Sequence, residues 1–297
     1  MDVLKSPVAS YGWAIGSLLG NMTLIVTGGL VRVTGSGLGC STWPQCEPGS
    51  YLPHPEAGVH AIVEFGNRLL TFVLIALAIG TFLAAWYARD DLGRPRRDLR
   101  RLAFVAAIGV PIQAVIGGMS VLTNLNPWVV SLHLLASVAM VVVCVVLIHR
   151  ARPIAPAVVP VRVGWLARAV FALGMVVVVL GTVVTGSGPN SGDGGAERSG
   201  LSPELTARIH SISVWLTLLA LAGLLVLAHR IPAVRRAGVV VAVVSAVQGA
   251  IGYLQYFTGN PPALVAIHMA GTALFAATVA NLWLLSPVPR PGPAVGD

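Results

Sequence analysis

Long runs without a single charged residue alternate along this chain with short polar or arginine-rich segments. The uncharged stretches run from Ser6 to Val31, Leu69 to Ala88, Leu102 to His149, Ala169 to Gly192, Ile209 to His229 and Ala237 to Pro289. A helix of about 20 apolar residues crosses the hydrocarbon core of a bilayer. The third and sixth runs are long enough to cross twice. Each is interrupted near its middle by turn-forming residues, Thr123-Asn124-Leu125-Asn126-Pro127 and Thr258-Gly259-Asn260-Pro261-Pro262, where Asn, Gly and Pro stop a helix. The pattern therefore predicts eight transmembrane helices, at roughly 12–33, 60–88, 102–122, 128–148, 164–186, 205–228, 238–257 and 263–285. Runs this long and unalternating exclude a β-barrel. The first apolar segment is too long for a cleavable signal peptide and lacks an A-x-A-like site, so none is expected.

Composition agrees, since 56% hydrophobic residues, 10% charged residues and a mean hydropathy of +0.82 exclude an ordinary soluble globule among chains of 297 residues. The basic residues set an orientation. Arg89, Arg94, Arg96, Arg97, Arg100 and Arg101 fall after the second span, Arg150, Arg152 and Arg162 after the fourth, and Arg230, Arg235 and Arg236 after the sixth, with Lys5 and Arg290 at the termini. All lie on one side, and the opposite loops hold Glu47, Glu56, Asp193, Glu197 and Glu204 against Arg198 alone, with Arg32 at a helix end. Short cytoplasmic loops keep an excess of Lys and Arg. A multi-pass protein of the cell membrane with both termini in the cytoplasm is expected. The net charge of +8 and the pI near 10.3 then reflect this bias and anionic lipid headgroups, and no nucleic-acid partner is needed to explain them.

The chain also repeats itself. Val33-Thr34-Gly35-Ser36-Gly37 closes the first span and Val184-Thr185-Gly186-Ser187-Gly188 the fifth, while Gln113, Gly117, Thr123 and His133 recur as Gln248, Gly252, Thr258 and His268. Four helices per copy give both copies the same orientation, related by a pseudo-two-fold axis along the membrane normal. The expected fold is an all-α integral membrane protein of two such four-helix bundles, residues 1–150 and 151–297, each building a site from facing helices.

Ionisable residues inside a span are functional candidates because the bilayer makes them expensive. They are His60, Glu64, Arg68, His133, His210 and His268. His54 lies in a loop, and His149 and His229 sit beside Arg150 and Arg230 at helix ends, where snorkelling explains them. His210 and His268 enter their helices from the same side and reach similar depths of roughly 7–9 Å. Two imidazoles at one depth suit the axial positions of a haem iron; alternatively each binds a carbonyl across helices. His133 occupies the repeat position of His268, but the residue matching His210 is Asn67. His60, Glu64, Asn67 and Arg68 share one helical face, so that face looks into the bundle. Glu64 can stabilise a developing positive charge or take a proton, or simply pair with Arg68 one turn away. Arg68 and Arg208 are suited to propionates. Cys40 and Cys46, six residues apart in an outer loop, suggest a disulfide, with a metal pair or free redox thiols as alternatives, and Cys144 reads as a small buried apolar residue.

Taken together, the 4+4 duplication, Thr34-Gly35-Ser36-Gly37-Leu38-Gly39-Cys40 followed by Trp43-Pro44 and Cys46, Glu64-x-x-Asn67-Arg68, and single histidines in helices 4, 6 and 8 resemble the heme A synthase family over essentially the whole chain. The resemblance implies an oxidoreductase that converts the methyl group at ring position 8 of heme O, through hydroxylated intermediates, into the formyl group of heme A used by terminal oxidases. It implies that His210 and His268 ligate a haem b in the C-terminal half, that His133 holds the substrate haem in the N-terminal half, and that Glu64 is catalytic. It gives Cys40 and Cys46 a structural or redox role. One departure stands out. The family has Glu-x-x-His-Arg in helix 2, and Asn67 replaces that His here. The substrate iron is then held by His133 alone or also by His60, which lies two turns, about 10.5 Å, nearer the outer surface than Asn67. Pathway logic adds the farnesyltransferase that makes heme O and terminal oxidase assembly factors as partners, with no electron donor named by the sequence. The alternatives are a non-catalytic membrane protein that binds or delivers haem, and a transporter, the latter weakened by the lack of helices broken at midplane.

Overall fold

A computed structural model describes residues 7–54, 58–152 and 157–288. Eight helices dominate it: α1 (Pro7–Val33), α2 (Gly58–Tyr87), α3 (Arg97–Leu122), α4 (Pro127–Ala151), α5 (Val161–Ser187), α6 (Pro203–Leu227), α7 (Pro232–Phe257) and α8 (Pro262–Leu285). All eight are long and apolar enough to cross a membrane. Among the described residues, β-structure is confined to the isolated bridges Glu47–Ser50 and Arg89–Pro95. Lys5, Glu56 and Arg290, used above for orientation, lie outside the described residues.

The helices outrun the apolar spans mainly at their arginine-rich ends. Helix α3 starts at Arg97 instead of 102, α7 at Pro232 instead of 238, and α4 continues to Ala151 instead of 148. Hydropathy marks where hydrocarbon ends, whereas hydrogen bonding carries the helix on through side chains that snorkel. The two interruptions fall where the turn residues place them. Asn124 and Leu125 take φ of 50° and 59°, and Gly259 and Asn260 take 78° and 61°, left-handed values that Gly and Asn tolerate best. After the first turn the Asn126 side chain accepts from Trp128 N at 3.0 Å and Pro127 begins the helix. Ser202 and Pro203 do the same for α6, the expected pairing of a capping oxygen with a proline in the first turn.

The apolar surface faces outward. Phe72, Leu219 and Phe257 are among many large hydrophobic residues left exposed, far more than a water-soluble chain displays. Inside, α1 packs on α2 and α4, and α3 on α2 and α4; α6 packs on α5 and α7, and α8 on α5 and α7. Each set of four thus closes as a ring. The rings meet through α1 with α8, α4 with α5, and α4 with α8. The largest buried apolar cluster runs from this seam into the second ring, including Val138, Val141, Val170, Leu224, Phe275 and Val279.

With no hydrophobic drive between helices in lipid, close backbone approach and hydroxyl pairs hold the rings. Ser17 and Thr81 hydroxyls meet at 2.8 Å between α1 and α2, and Thr81 also donates to the Trp13 carbonyl at 3.1 Å. His149 does more than snorkel: its Nε2 lies 2.9 Å from Asn281 Oδ1, tying α4 to α8. Gly80 lets the Trp13 ring lie on the α2 backbone, and a Cβ there would fall on ring atoms. Gly80→Val should therefore destabilise the protein by about 1–3 kcal/mol through overpacking, read as a lower thermal midpoint in detergent. Gly12→Ala, with open space around the new Cβ, should leave the midpoint unchanged.

Candidate functional site: a cavity in the first ring and paired imidazoles in the second

The two rings differ in what they enclose. A cavity of about 580 Å³ opens within the first ring near the end of the molecule that carries the 34–54 and 188–202 loops, and Glu64, Asn67, Arg68 and His133 all line it. That volume lies in the range of small-molecule sites. Trp43 and Pro44 of the loop after α1 cover part of it, while Thr182 and Met269 bring the second ring to its wall.

Three polar atoms around this space are buried with nothing to bond. They are Asn67 Oδ1, Gln113 Oε1 and His133 Nδ1. The other end of the Gln113 amide donates to Ser137 Oγ at 2.9 Å, so its orientation is fixed. Gly117 faces His133 closely enough that a Cβ would sit 3.1 Å from the ring, and Ser137 donates to the His133 carbonyl at 2.9 Å. Buried polar atoms are ordinarily paired. Three orphans around one cavity mark a place shaped for a partner the chain does not itself contain.

Glu64 is the opposite case, fully engaged although buried. Its Oε2 accepts from Cys40 N at 2.7 Å, and its Oε1 accepts from Arg68 Nη2 at 2.5 Å and Nε at 3.1 Å. Arg68 reaches onward, donating through Nη1 to the carbonyls of Thr42 at 3.0 Å and Gln45 at 3.2 Å. The i, i+4 pair foreseen between these residues exists and does more than stiffen a helix. It binds α2 to the loop that Cys40 and Cys46 close with a disulfide. Gly39 lets that loop descend onto α2, since a Cβ there would collide with the His60 carbonyl.

His60 does not join the others. Its side chain is exposed, its Nδ1 lies 2.8 Å from Ser36 Oγ, and it is absent from the cavity wall. Ser36 in turn meets Thr34 at 2.9 Å. The second copy makes the same clamp without histidine, Ser187 to Thr206 at 2.9 Å. One helical face was expected to look inward as a unit; instead its first turn is spent holding the loop, and only the turns below reach the cavity. His60 as a haem ligand is not supported by this placement.

In the second ring, His210 on α6 and His268 on α8 lie within electrostatic reach of one another. Both Nδ1 atoms are buried and without a hydrogen-bond partner. Each ring faces a glycine of the neighbouring helix. A Cβ at Gly181 would lie 3.3 Å from His210, and one at Gly252 would lie 3.2 Å from His268. Gly117 with His133 and Gly252 with His268 are repeat-related positions. Among the described residues no three His, Cys, Asp or Glu side chains gather as a metal site. Lone or paired imidazoles suit an iron that arrives with four porphyrin nitrogens, and do not complete a zinc site. The donor set therefore fits haem.

Three further residues on the cavity wall had no site role in the sequence: Arg32, Trp43 and Met269. Arg32 carried a legible signal, as an arginine on the acidic side of the chain, and Trp43 one as part of the Trp43-Pro44 motif. Met269 carried none, because lining a cavity formed between distant segments leaves no local pattern.

Comparison with known proteins bears on the same segments. The profile of the COX15-CtaA family, described as cytochrome oxidase assembly protein, matches residues 11–189, more than half of the chain. The heme A synthase of Exiguobacterium sp. is 34% identical over 120 residues, 39% of this chain and 36% of that protein. The heme A synthase of Listeria monocytogenes serotype 4a is 31% identical over 123 residues, 41% of this chain and 38% of the relative. That of Lysinibacillus sphaericus is 34% identical over 122 residues, again 41% and 38%. The chain thus spans less than two fifths of the length of these curated relatives.

Removing one member of a buried pair strands the other charge, which costs about 3–5 kcal/mol. Arg68→Ala should accordingly lower the thermal midpoint sharply and expose the Cys40–Cys46 loop to limited proteolysis. Adding Glu64→Gln to it should recover part of the loss, and a double-mutant cycle showing no coupling would contradict the clamp.

Proposed function

The chain belongs to the cytochrome oxidase assembly protein family, and from that membership we propose that it is a heme A synthase, a membrane oxidoreductase converting the methyl group at ring position 8 of heme O into a formyl group. The observation that carries this reading is the ligand-sized cavity where unpartnered Asn67, Gln113 and His133 surround a space walled by Glu64. In this reading residues 1–150 form the substrate half and residues 151–297 the haem b half. The packing supports two bundles about a pseudo-two-fold axis, since exchanging each helix with the one four places away turns every helix contact into another existing contact. The arginine-rich ends and both termini face the cytoplasm, and the membrane is the cell membrane.

The geometry of the chain's own groups supports a role for each. His133 would hold the substrate iron through its imidazole, with Gly117 leaving room beside the ring. His210 on α6 and His268 on α8 would hold haem b. What bound haem b supplies is one-electron transfer, and Met269, next to His268 and on the cavity wall, puts the two sites one residue apart in sequence. Glu64 is the catalytic carboxylate. Held by Cys40 N and Arg68, it keeps a fixed carboxylate at the cavity wall and can accept a proton at a carboxylate oxygen. Trp43 and Pro44 keep water from the cavity. Asn67 lines the substrate site without being a ligand, because an amide is a poor donor to iron. Heme O synthase and terminal oxidase assembly factors are the expected partners.

One observation favours a second reading, a non-catalytic haem carrier: Asn67 stands where the family pattern places a histidine. Expression beside a heme O source, followed by extraction and identification of the bound haems, separates the two. Heme A or its hydroxylated precursor is expected in the wild type. Glu64→Gln should keep its haem yet lose product by about 100-fold or more, the range of general acid–base groups. His268→Ala should lose haem b. Haem b alone in the wild type, with heme O supplied, would establish the carrier instead.

A further inference from the structure

The cavity of the first ring holds a positive charge that no described residue balances. Three charged side chains line it, Arg32, Glu64 and Arg68, two positive against one negative. Glu64 and Arg68 neutralise each other, so the surplus belongs to Arg32. This half-buried residue stands one position before the end of α1. Its Nε donates to the Asn190 carbonyl at 2.6 Å and its Nη2 to the Thr185 carbonyl at 2.9 Å. Those two bonds occupy one edge of the guanidinium and fix its plane. Among the described residues, Nη1 has no hydrogen-bond partner and no carboxylate lies within ion-pair distance of Arg32.

A guanidinium does not give up its proton in a protein, so this charge cannot be relieved by titration. Held partly out of water without a counter-charge it is costly, unless an occupant of the cavity brings the anion. The position belongs to the first half alone. Aligning Val33–Gly37 with Val184–Gly188 sets Val183 opposite Arg32, so the repeat did not preserve it as part of the bundle.

We propose that Arg32 is the carboxylate anchor of this cavity, binding a propionate of the porphyrin through Nη1 at the loop end. His133, six residues into α4 from the same end, lies about 9 Å deeper along its helix axis. A ligand held at both points places its polar edge at the rim and its iron inside. The bidentate, planar donor geometry of arginine suits a carboxylate better than lysine does. This inference rests on the cavity being the heme O site.

The test is a spectral titration of the purified protein with iron protoporphyrin and with its propionate dimethyl ester. His133→Ala serves to identify the absorbance change that belongs to this cavity. The wild type should bind the free acid about tenfold more tightly than the ester, the size of one charge-assisted hydrogen bond. Arg32→Gln should lose about tenfold for the acid and nothing for the ester, while Arg32→Lys should keep part of the preference. Equal losses for acid and ester would show that Arg32 only tethers the 188–195 loop and would overturn the proposal, as would unchanged binding of both. If neither porphyrin gives a His133-dependent change in the wild type, the haem reading of the cavity itself falls, and the anchor with it.

Discussion

A polar side chain in a bilayer has no water to fall back on, so it must find its partner within the protein or in something the protein binds. Most polar groups here obey that constraint locally. Ser17 meets Thr81, His149 meets Asn281, and Glu64 is enclosed by Cys40 N and Arg68. Among the described residues, eight buried side-chain atoms are left over. Asn67, Gln113 and His133 hold three of them around one cavity, and His210 and His268 hold two more in the other ring. The remaining three, on Ser245, Gln255 and Ser286, are not on the wall of that cavity.

The two rings answer the same constraint differently. In the second, the buried apolar cluster extends through Val170, Leu224 and Val279. In the first, the space stays open and is rimmed by a loop held from three directions: the disulfide, the Glu64–Arg68 pair and the His60–Ser36 contact. The seam between rings, made by α1, α4, α5 and α8, lets Thr182 and Met269 of the second half complete the wall of the first.

Much of this was legible in the sequence, and the reasons are physical. Hydrocarbon thickness fixes the length of an apolar run, so eight helices could be counted and both interhelical turns found at their Asn, Gly and Pro residues. Cost in lipid singled out Glu64, Arg68, His133, His210 and His268. What was not legible depends on how separate segments meet. His60 shares a helical face with Glu64, but the Ser36 loop lies over that turn and takes it. Arg32 looked like a stray charge at a helix end, and only the cavity beside it gives the charge a meaning. The grip of Glu64 on Cys40 N joins residues 24 apart and has no signature in either local sequence.

The central claim is that one duplicated scaffold offers iron two unlike environments, a two-histidine site in the second ring and a one-histidine site in the first. Low-temperature electron paramagnetic resonance of the oxidised protein carrying both haems tests it most directly. Two separable signals are predicted, one low-spin and one high-spin, with His133→Ala removing only the high-spin one. A single class of signal, or loss of both on changing His133, would contradict the account.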